Sequence, residues 1–146
     1  MNLFIKRLDP RAKIPERATN GSAGMDLRAL LDEPVTVPAG GRVMIPTGIA
    51  IGLIDNNVVG LIYARSGLAI KHGLALSNGV GVVDSDYTGE IRVGLINHSD
   101  TEYTIQPDER IAQLVISPVF PVSTVEVEEL NQTDRGDGGF GSTGKL

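Results

Sequence analysis

Residues 78–97 read NGVGVVDSDYTGEIRVGLIN, and this stretch has the pattern of two strands joined by a tight connection. The segments GVGVV and EIRVGLIN are short and apolar, as buried strands are. Between them, DSDYTG at residues 84–89 is rich in Asp and Gly, which favour turns because they tolerate turn conformations and bond to their own backbone. The stretch therefore predicts a β-hairpin.

The same pattern recurs along the chain. Six further short segments have strand character: LFIKRL, MDLRALL, RVMIPTGIAIGLI, VVGLIYA, EYTIQ and RIAQLVISPVF. Turn signals lie between them, around residues 32–41, 55–57, 97–100 and 106–109. Many short strands at this spacing predict an all-β fold, either a sandwich, a jelly roll or a barrel. The only helical turn expected is Ser66–Lys71, with Ser66 as its N-cap.

Length and composition exclude several classes of protein. A chain of 146 residues fits one domain. The lack of cysteine excludes disulfides, thiol nucleophiles and thiolate zinc sites, whereas a hard cation with oxygen ligands stays open. Because the net charge is −5, we do not expect binding to a nucleic-acid backbone, although a nucleotide in a local basic pocket is compatible with this charge.

The ends of the chain carry further compositional signals. The N-terminus, MNLFIKRLDP, has no apolar core of a signal peptide, and the longest uncharged apolar run, Val43–Ile54, contains Pro46 and is too short to span a bilayer. We therefore expect a cytoplasmic protein without a membrane partner. Apolar residues become scarce after about Glu129, which predicts a core over residues 1–129 and a flexible glycine-rich arm over residues 130–146.

The segment YARSGLAIKHG is one candidate for chemistry. Arg65 ends an apolar strand, and Ser66 and Gly67 precede a possible helix start. A guanidinium, a hydroxyl and free N–H groups at such a position suit an anion such as phosphate. An ordinary strand-to-helix turn with a solvated arginine also explains these residues.

The turn at residues 84–89 is a second candidate. Asp84, Asp86 and Glu90 cluster around Tyr87, and a carboxylate just past a buried strand suits a general base that activates water. The pattern of a calcium loop fails, because position twelve is Leu95 rather than Glu and the flanks resemble strands rather than helices. A hairpin turn that is simply rich in Asp and Gly is the alternative.

Two other polar positions give weaker signals. SAGMDL places Asp26 among small residues, which allow another backbone to approach. In DERIAQL, strand alternation puts Ile111 and Gln113 on one face and Arg110 on the opposite face. A partly buried Gln113 needs hydrogen-bond partners, which can be purely structural.

The last residues, TDRGDGGFGSTGKL, nearly match the phosphate-binding pattern Gly-x4-Gly-Lys-Ser/Thr. Leu146 stands where that pattern requires a hydroxyl for magnesium, so a P-loop is excluded. A flexible terminus is the usual interpretation of such a segment. Phe140 and Arg135 instead fit a clamp, in which a ring stacks on a base while a guanidinium, hydroxyls and backbone N–H groups bind phosphates.

Taken in order, AGMDL, ARSGLA, NGVGVVDSDYTGE, DERIAQL and RGDGGFGSTG resemble the five motifs of the trimeric dUTPase family. The resemblance covers residues 23–144, and the third and fifth motifs are long and specific. Two positions depart from the family pattern, since Ala64 stands where proline is usual and Asp108 where glycine is usual. The usual glycine suits a positive φ, a conformation that aspartate tolerates less well.

The resemblance implies a homotrimer of jelly-roll subunits. Each active site would lie between subunits, and the C-terminal arm of one subunit would reach a site built by the other two. The implied reaction is Mg²⁺-assisted attack of water on the α-phosphorus of dUTP, which gives dUMP and pyrophosphate. This activity keeps uracil out of DNA and supplies dUMP for thymidylate synthesis.

The motifs also imply roles for the matching residues. Asp84 orients and deprotonates the attacking water, Tyr87 packs under the deoxyribose, and Asp26 lies near the water shell of the magnesium ion. Uracil recognition is implied for three residues: Asn78, Val82 and Val83. Phosphate contacts are implied for four: Arg65, Ser66, Gly67 and Gln113. The arm contributes Phe140, which stacks on uracil, and a set of further substrate contacts: Arg135, Gly141, Ser142 and Thr143.

Two alternatives stay open at this point. One is a dCTP deaminase-like nucleotide enzyme on the same fold; those enzymes carry a related Arg-Ser-Ser segment, whereas Gly67 follows Ser66 here. The other is a non-catalytic nucleotide-binding regulator, against which the Asp84–Tyr87 pair and the complete fifth motif argue. A zinc-dependent deaminase is excluded by the lack of cysteine.

Overall fold

The computed structural model describes residues 2–53 and 55–139, which form ten β-strands and one short α-helix. The all-β fold predicted from the sequence is thus confirmed. In chain order the elements are β1 (Phe4–Arg7), β2 (Met25–Arg28), β3 (Val35–Val37), β4 (Arg42–Gly52), β5 (Val58–Ala64), α1 (Ser66–His72), β6 (Leu74–Leu76), β7 (Gly81–Val83), β8 (Glu90–Asn97), β9 (Tyr103–Ile105) and β10 (Arg110–Pro118).

The strands form two four-stranded sheets, in the orders β1-β4-β8-β6 and β2-β10-β5-β7, and a two-stranded ribbon, β3-β9. Every pair is antiparallel. Neighbours within a sheet are mostly distant along the chain, as where β10 lies between β2 and β5. This double-sheet arrangement is the predicted jelly roll.

Buried residues of both large sheets form one hydrophobic cluster. In β8, Ile91, Val93 and Leu95 are at most 2% exposed, whereas Arg92 between them is exposed, which is the period of two expected of a half-buried strand. From the other sheet, Ile62 and Leu114 join the same cluster. The two sheets therefore pack face to face, and polar side chains are left for the outer faces and the loops.

Two strands lie where the sequence predicted only connections. β3 and β6 have three residues each, too few for a periodic pattern, and β3 lies between two turn signals. They form strands because β9 and β8 pair with them and because Val37, Leu74 and Leu76 become buried. Tertiary pairing, rather than local propensity, determines such short strands.

The chain beyond β10 differs from the core. Residues 119–139 contain neither strand nor helix, and several of their apolar side chains are 79–89% exposed: Phe120, Val122, Val125 and Leu130. Within the residues that the structure describes, no helix has the length and apolar character needed to cross a membrane.

Candidate active site

The predicted helix is confirmed, and its N-cap lies one residue earlier than the cap assigned from the sequence. Arg65 is the N-cap, with an extended backbone (φ −87°, ψ 131°), and no side chain caps the helix. The assignment of Ser66 as N-cap is therefore wrong: the carbonyl of Arg65 already accepts a hydrogen bond from the N–H of Ala69, so Ser66 lies in the first turn. Its side chain is exposed.

Arg65 is fixed by contacts within the chain. Its Nε donates to Asp26 Oδ1 at 2.9 Å, and its Nη1 donates to the carbonyl of Arg110 at 3.2 Å. The other Asp26 oxygen accepts from Arg110 Nη1 at 3.1 Å. The Asp26 side chain is only 19% exposed, so solvent screens these ion pairs less than it would on an open surface. Two guanidiniums on one carboxylate leave a local positive charge, which favours phosphate.

A β-bulge produces this arrangement. Arg110 lies opposite Arg28 on β2, but Ala112 lies opposite Leu27, so β10 has one extra residue, Ile111. The extra residue interrupts the alternation of side chains, so residues on the two sides of the bulge no longer follow one regular pattern of faces. The sequence-based placement of Arg110 on the face opposite Gln113 is therefore wrong, because uninterrupted alternation was assumed.

Gln113 lies beside this ion-pair cluster. It is opposite Asp26 on β2, and its Nε2 donates to the carbonyl of Ala64 at 3.0 Å. Gly24 permits this position, because a Cβ added at Gly24 would lie 2.4 Å from Gln113 Oε1. The hydrogen-bond partner that a half-buried glutamine requires is thus backbone at the end of β5.

These residues share one cavity of about 380 Å³. Its polar lining includes five of the residues singled out in the sequence: Asp26, Arg65, Ser66, Gly67 and Gln113. We call it the Arg65 pocket. Sequence reasoning missed Gly24 as the residue that admits Gln113, and it missed Arg110 as the second partner of Asp26. The signals were the small residues of AGMDL and the arginine of DERIAQL.

The β-hairpin predicted over residues 78–97 is wrong: β7 pairs with β5 and β8 pairs with β4 and β6, so the turn at residues 84–89 connects two different sheets. Turn residues predict a change of direction, but pairing with strands distant along the chain determines which sheet each strand joins.

A second cavity, of about 320 Å³, lies around residues 78–92. We call it the Asp84 pocket. It brings together the other candidates from the core: Asn78, Val82, Val83, Asp84 and Tyr87. The Tyr87 hydroxyl donates to the carbonyl of Glu90 at 2.9 Å, and its backbone N–H donates to that of Asp84 at 3.1 Å, which closes the turn.

The side chains of the Asp84 pocket are open to solvent. Val82 is 63% exposed and Tyr87 is 46% exposed. Asp84 is exposed as well, and its carboxylate has no ion-pair partner among residues 2–53 and 55–139. A carboxylate in this state is accessible both to water and to a ligand.

The two pockets share no lining residue. Val83 pairs with Gly60, so Asp84 is level with Val59 on the antiparallel β5, and Arg65 lies six residues further along. At the rise of a β-strand this separation is roughly 20 Å. One chain therefore does not place Asp84 and Arg65 around the same phosphate group.

The arm residues are only partly described. Arg135 lies in a turn, where its Nε donates to the carbonyl of Gly138 at 2.7 Å, and it lines neither pocket. The remaining arm candidates lie outside the described residues: Phe140, Gly141, Ser142 and Thr143.

Comparisons with known proteins extend over almost the whole chain. The family model described as dUTPase matches residues 10–144. The deoxyuridine 5'-triphosphate nucleotidohydrolase of Paraburkholderia phymatum is 50% identical over 147 aligned positions, covering 99% of each chain.

Solved structures agree with the sequence matches. The dUTPase of Staphylococcus bacteriophage 80alpha with dUPNHPP is similar at a TM-score of 0.88 and 29% identity, covering 98% of each chain. A variant dUTPase from phage phi11 of S. aureus, whose structure describes the coordination of a structural Mg(II) ion, has a TM-score of 0.80 at 25% identity, over 90% of this chain and 100% of that one. With motifs, fold and relatives in agreement across its length, this chain belongs to the dUTPase family.

Proposed function

We propose that this protein is a dUTP diphosphatase, which hydrolyses dUTP to dUMP and pyrophosphate by attack of water on the α-phosphorus. The observation that carries the proposal is the pair of pockets. One offers a fixed guanidinium and a hydroxyl for phosphates, and the other offers an exposed carboxylate beside an aromatic ring. Curated relatives that are 50% identical over almost the whole chain bear the name of this activity. In a cell, the reaction would keep uracil out of DNA and supply dUMP for thymidylate synthesis.

Asp84 is the proposed general base. Its exposure directly after β7 supports this role, since the carboxylate can accept a proton from a bound water while the pairing of β7 with β5 fixes the adjoining backbone. A general base must lie within hydrogen-bond reach of the proton that it removes, and such groups contribute roughly 10²–10⁴-fold to rate. The proton passes from the attacking water to the Asp84 carboxylate as the water oxygen bonds to phosphorus and pyrophosphate leaves.

The Asp84 pocket is proposed to recognise the nucleoside. Tyr87 would pack under the deoxyribose and leave no room for a 2′-hydroxyl, while the amide of Asn78 and the backbone of the same segment, residues 78–91, pair with uracil. Val82 and Val83 would line the base pocket. The C5 methyl group of thymine would not fit there, which disfavours thymine relative to uracil by about 1–3 kcal/mol. Cytosine is rejected more strongly, because a backbone N–H facing its amino group stays unpaired.

The Arg65 pocket is proposed to bind the phosphates. Arg65, Ser66 and Gly67 would contact the α- and β-phosphates, with Gln113 beside them. Asp26 already holds Arg65 at 2.9 Å, so the guanidinium is oriented before substrate arrives. A donor fixed in advance stabilises developing charge without reorganisation during the reaction.

A magnesium ion is proposed to accompany the substrate. Among the residues that the structure describes, no cluster of three or more His, Asp or Glu side chains could hold a metal, and Asp26 is the carboxylate that lines the Arg65 pocket. This donor set fits Mg²⁺, which commonly keeps its waters and binds through phosphates with one or two carboxylates. When bound, the ion neutralises charge on the phosphates.

The complete site is proposed to form in a homotrimer. Asp84 and Arg65 lie roughly 20 Å apart along β5 within one chain, whereas both must approach one phosphate group. A second copy can place its Asp84 pocket next to the Arg65 pocket of the first copy. The exposed apolar side chains of residues 119–130 also suit contacts with another copy.

The arm is proposed to complete the active site from a third subunit. Residues 130–146 would close over bound nucleotide, with Phe140 on the uracil ring. Four further contacts are proposed from the arm: Arg135, Gly141, Ser142 and Thr143. Closure excludes bulk water and strengthens the electrostatic contacts within the site. The cytoplasmic location and the lack of membrane and nucleic-acid partners stay predictions.

The test is an assay with two substrates. The protein is incubated with dUTP or dCTP and Mg²⁺, and pyrophosphate and ammonia are measured. We expect pyrophosphate from dUTP and no ammonia from dCTP. Ammonia from dCTP would indicate a deaminase instead, and absence of pyrophosphate from dUTP would exclude the proposed activity. Light scattering on the same preparation measures the oligomeric state.

A further inference from the structure

A third and more basic cavity adjoins the Arg65 pocket, with which it shares Ala18 and Asp26 as lining residues. Its volume is about 700 Å³, within the range of roughly 300–1,000 Å³ that small-molecule sites occupy. Five cationic side chains line it: Arg7, Lys13, Arg17, Arg28 and Arg110. Three carboxylates also line it: Glu16, Asp26 and Asp108. The excess of positive charge is opposite in sign to the net charge of −5 of the whole chain.

The strand register places two of these cations against each other. Arg28 on β2 lies directly opposite Arg110 on β10, and like charges at directly opposed positions destabilise a sheet. The bulge at Ile111 puts Arg110 on this face. An anion between the two guanidiniums would convert the repulsion into two attractive contacts.

The carboxylates of the chain neutralise the cluster only in part. Arg110 Nη1 lies 3.1 Å from Asp26 Oδ2, but Asp26 is shared with Arg65. Arg28 Nη1 lies 3.3 Å from Asp108 Oδ2. Across residues 2–53 and 55–139, the three remaining cations form no ion pair: Arg7, Lys13 and Arg17.

We propose that this cavity, here called the basic cavity, binds a linear polyphosphate anion. Several guanidiniums converge on it, and the planar fork of a guanidinium matches the paired oxygens of phosphate. Among residues 2–53 and 55–139, no aromatic side chain lines the cavity. This part of the chain therefore offers no ring on which a nucleobase would stack, and the phosphate chain itself is the recognised group. Pyrophosphate is one such anion and is the product of the hydrolysis proposed above, although the binding does not depend on that reaction.

Isothermal titration calorimetry with inorganic pyrophosphate tests the proposal directly. The protein is first saturated with dUpNHpp, the nucleotide present in the phage 80alpha dUTPase structure, so that the Arg65 and Asp84 pockets are occupied. Both solutions contain the same concentration of Mg²⁺. We expect one pyrophosphate per chain, with an affinity that falls as salt is added. The double variant Lys13→Ala/Arg17→Ala should weaken binding about tenfold or more, because it removes two charged contacts.

The control is Lys71→Ala, which removes an exposed cation on α1 and should leave pyrophosphate affinity unchanged. Thermal melts establish that all variants are folded; Lys13 and Arg17 are exposed, so their replacement should not unfold the chain. Tripolyphosphate and ATP should bind within about tenfold of pyrophosphate, since only the phosphate chain is recognised.

Three results would overturn the proposal. The first is the absence of pyrophosphate binding to the saturated protein, including the case in which dUpNHpp abolishes binding seen without it, because the cavity would then be part of the substrate site. The second is equal affinity in the double variant and the wild type. The third is binding of ATP without binding of either inorganic anion, which would mean that the nucleoside is required.

Discussion

The Arg65 pocket and the Asp84 pocket both include residues of β5 but are built differently. In the Arg65 pocket the side chains bind one another, since Asp26 accepts from both Arg65 and Arg110 and Gln113 donates to backbone. In the Asp84 pocket three of the candidate side chains face solvent: Val82, which is 63% exposed, Asp84 and Tyr87. The first pocket is thus organised before any ligand binds, whereas the second is open to solvent in the single chain.

The difference follows from the position of the strands. The Arg65 pocket spans β2, β10 and β5, which are adjacent and paired along most of their length. The Asp84 pocket depends on β7, a three-residue strand paired with β5 alone. Gln113 lies on the central strand β10 and Arg65 directly follows the central strand β5, so both donors are fixed in place, which suits the stabilisation of phosphate charge. A strand at the sheet edge leaves a carboxylate open to water, which suits a general base.

The strongest test of this comparison is Asp84→Asn. The exposed carboxylate contributes basicity but no described contact, so we expect kcat to fall roughly 10²–10⁴-fold with little change in melting temperature. Binding of dUpNHpp should be retained, because shape and hydrogen-bonding capacity are nearly unchanged. Steady-state kinetics, calorimetry with dUpNHpp and a thermal melt measure the three quantities. Near-normal turnover would mean that another group activates the water.

Removal of the arm tests whether the two pockets suffice. A chain truncated after Glu129 should stay folded, since the described residues of the arm are almost all exposed and belong to no strand. Activity should fall roughly 100-fold, because removing a group that stabilises developing charge usually lowers kcat by about this factor. Light scattering and a thermal melt establish assembly and folding, and pyrophosphate release measures the activity. Undiminished activity would show that the arm does not take part in catalysis.

Asp26→Asn should show the opposite profile from Asp84→Asn. Arg65 and Arg110 would both lose an ionic partner. The Asp26 side chain is only 19% exposed, but that of Arg110 is 45% exposed and its ion pair is weakened by solvent, so stability should fall by about 1 kcal/mol. Without Asp26 to orient it, Arg65 would contact the phosphates less well. We therefore expect kcat/KM to fall roughly tenfold, the effect of weakening one charged contact. Chemical denaturation and initial rates measure the two effects. A variant as stable as the wild type would mean that the ion pairs do not organise the pocket.

The sequence predicted more of the fold in long segments than in short ones. Periodic segments such as EIRVGLIN were identified as strands, and β8 has the same bounds, Glu90–Asn97. β3 and β6 were missed because three residues carry no period and their pairing partners lie far along the chain. Asp108 stands where the family usually has glycine, and its φ is +63°. This is the left-handed conformation that a glycine at this position suggested.

For the site, residue identities could be predicted but their relations could not. The five motifs named Asp26, Arg65 and Asp84, yet nothing in the order of residues shows that Arg65 and Asp84 lie at opposite ends of β5. The bulge at Ile111 was also invisible, because alternation is assumed until the register of the partner strand is known. Arg110 was consequently placed on the wrong face.

Gly24→Ala should have the smallest effect of these variants. It tests how closely the Arg65 pocket is packed. The added Cβ would lie 2.4 Å from Gln113 Oε1, so the glutamine must rotate and lose its hydrogen bond to Ala64, at a cost of about 1 kcal/mol. We expect KM for dUTP to rise severalfold, with a smaller change in kcat. Gly21→Ala is the matched control, since a Cβ there meets nothing within 4 Å. If initial rates give the two variants the same KM, the position of Gln113 does not contribute to substrate binding.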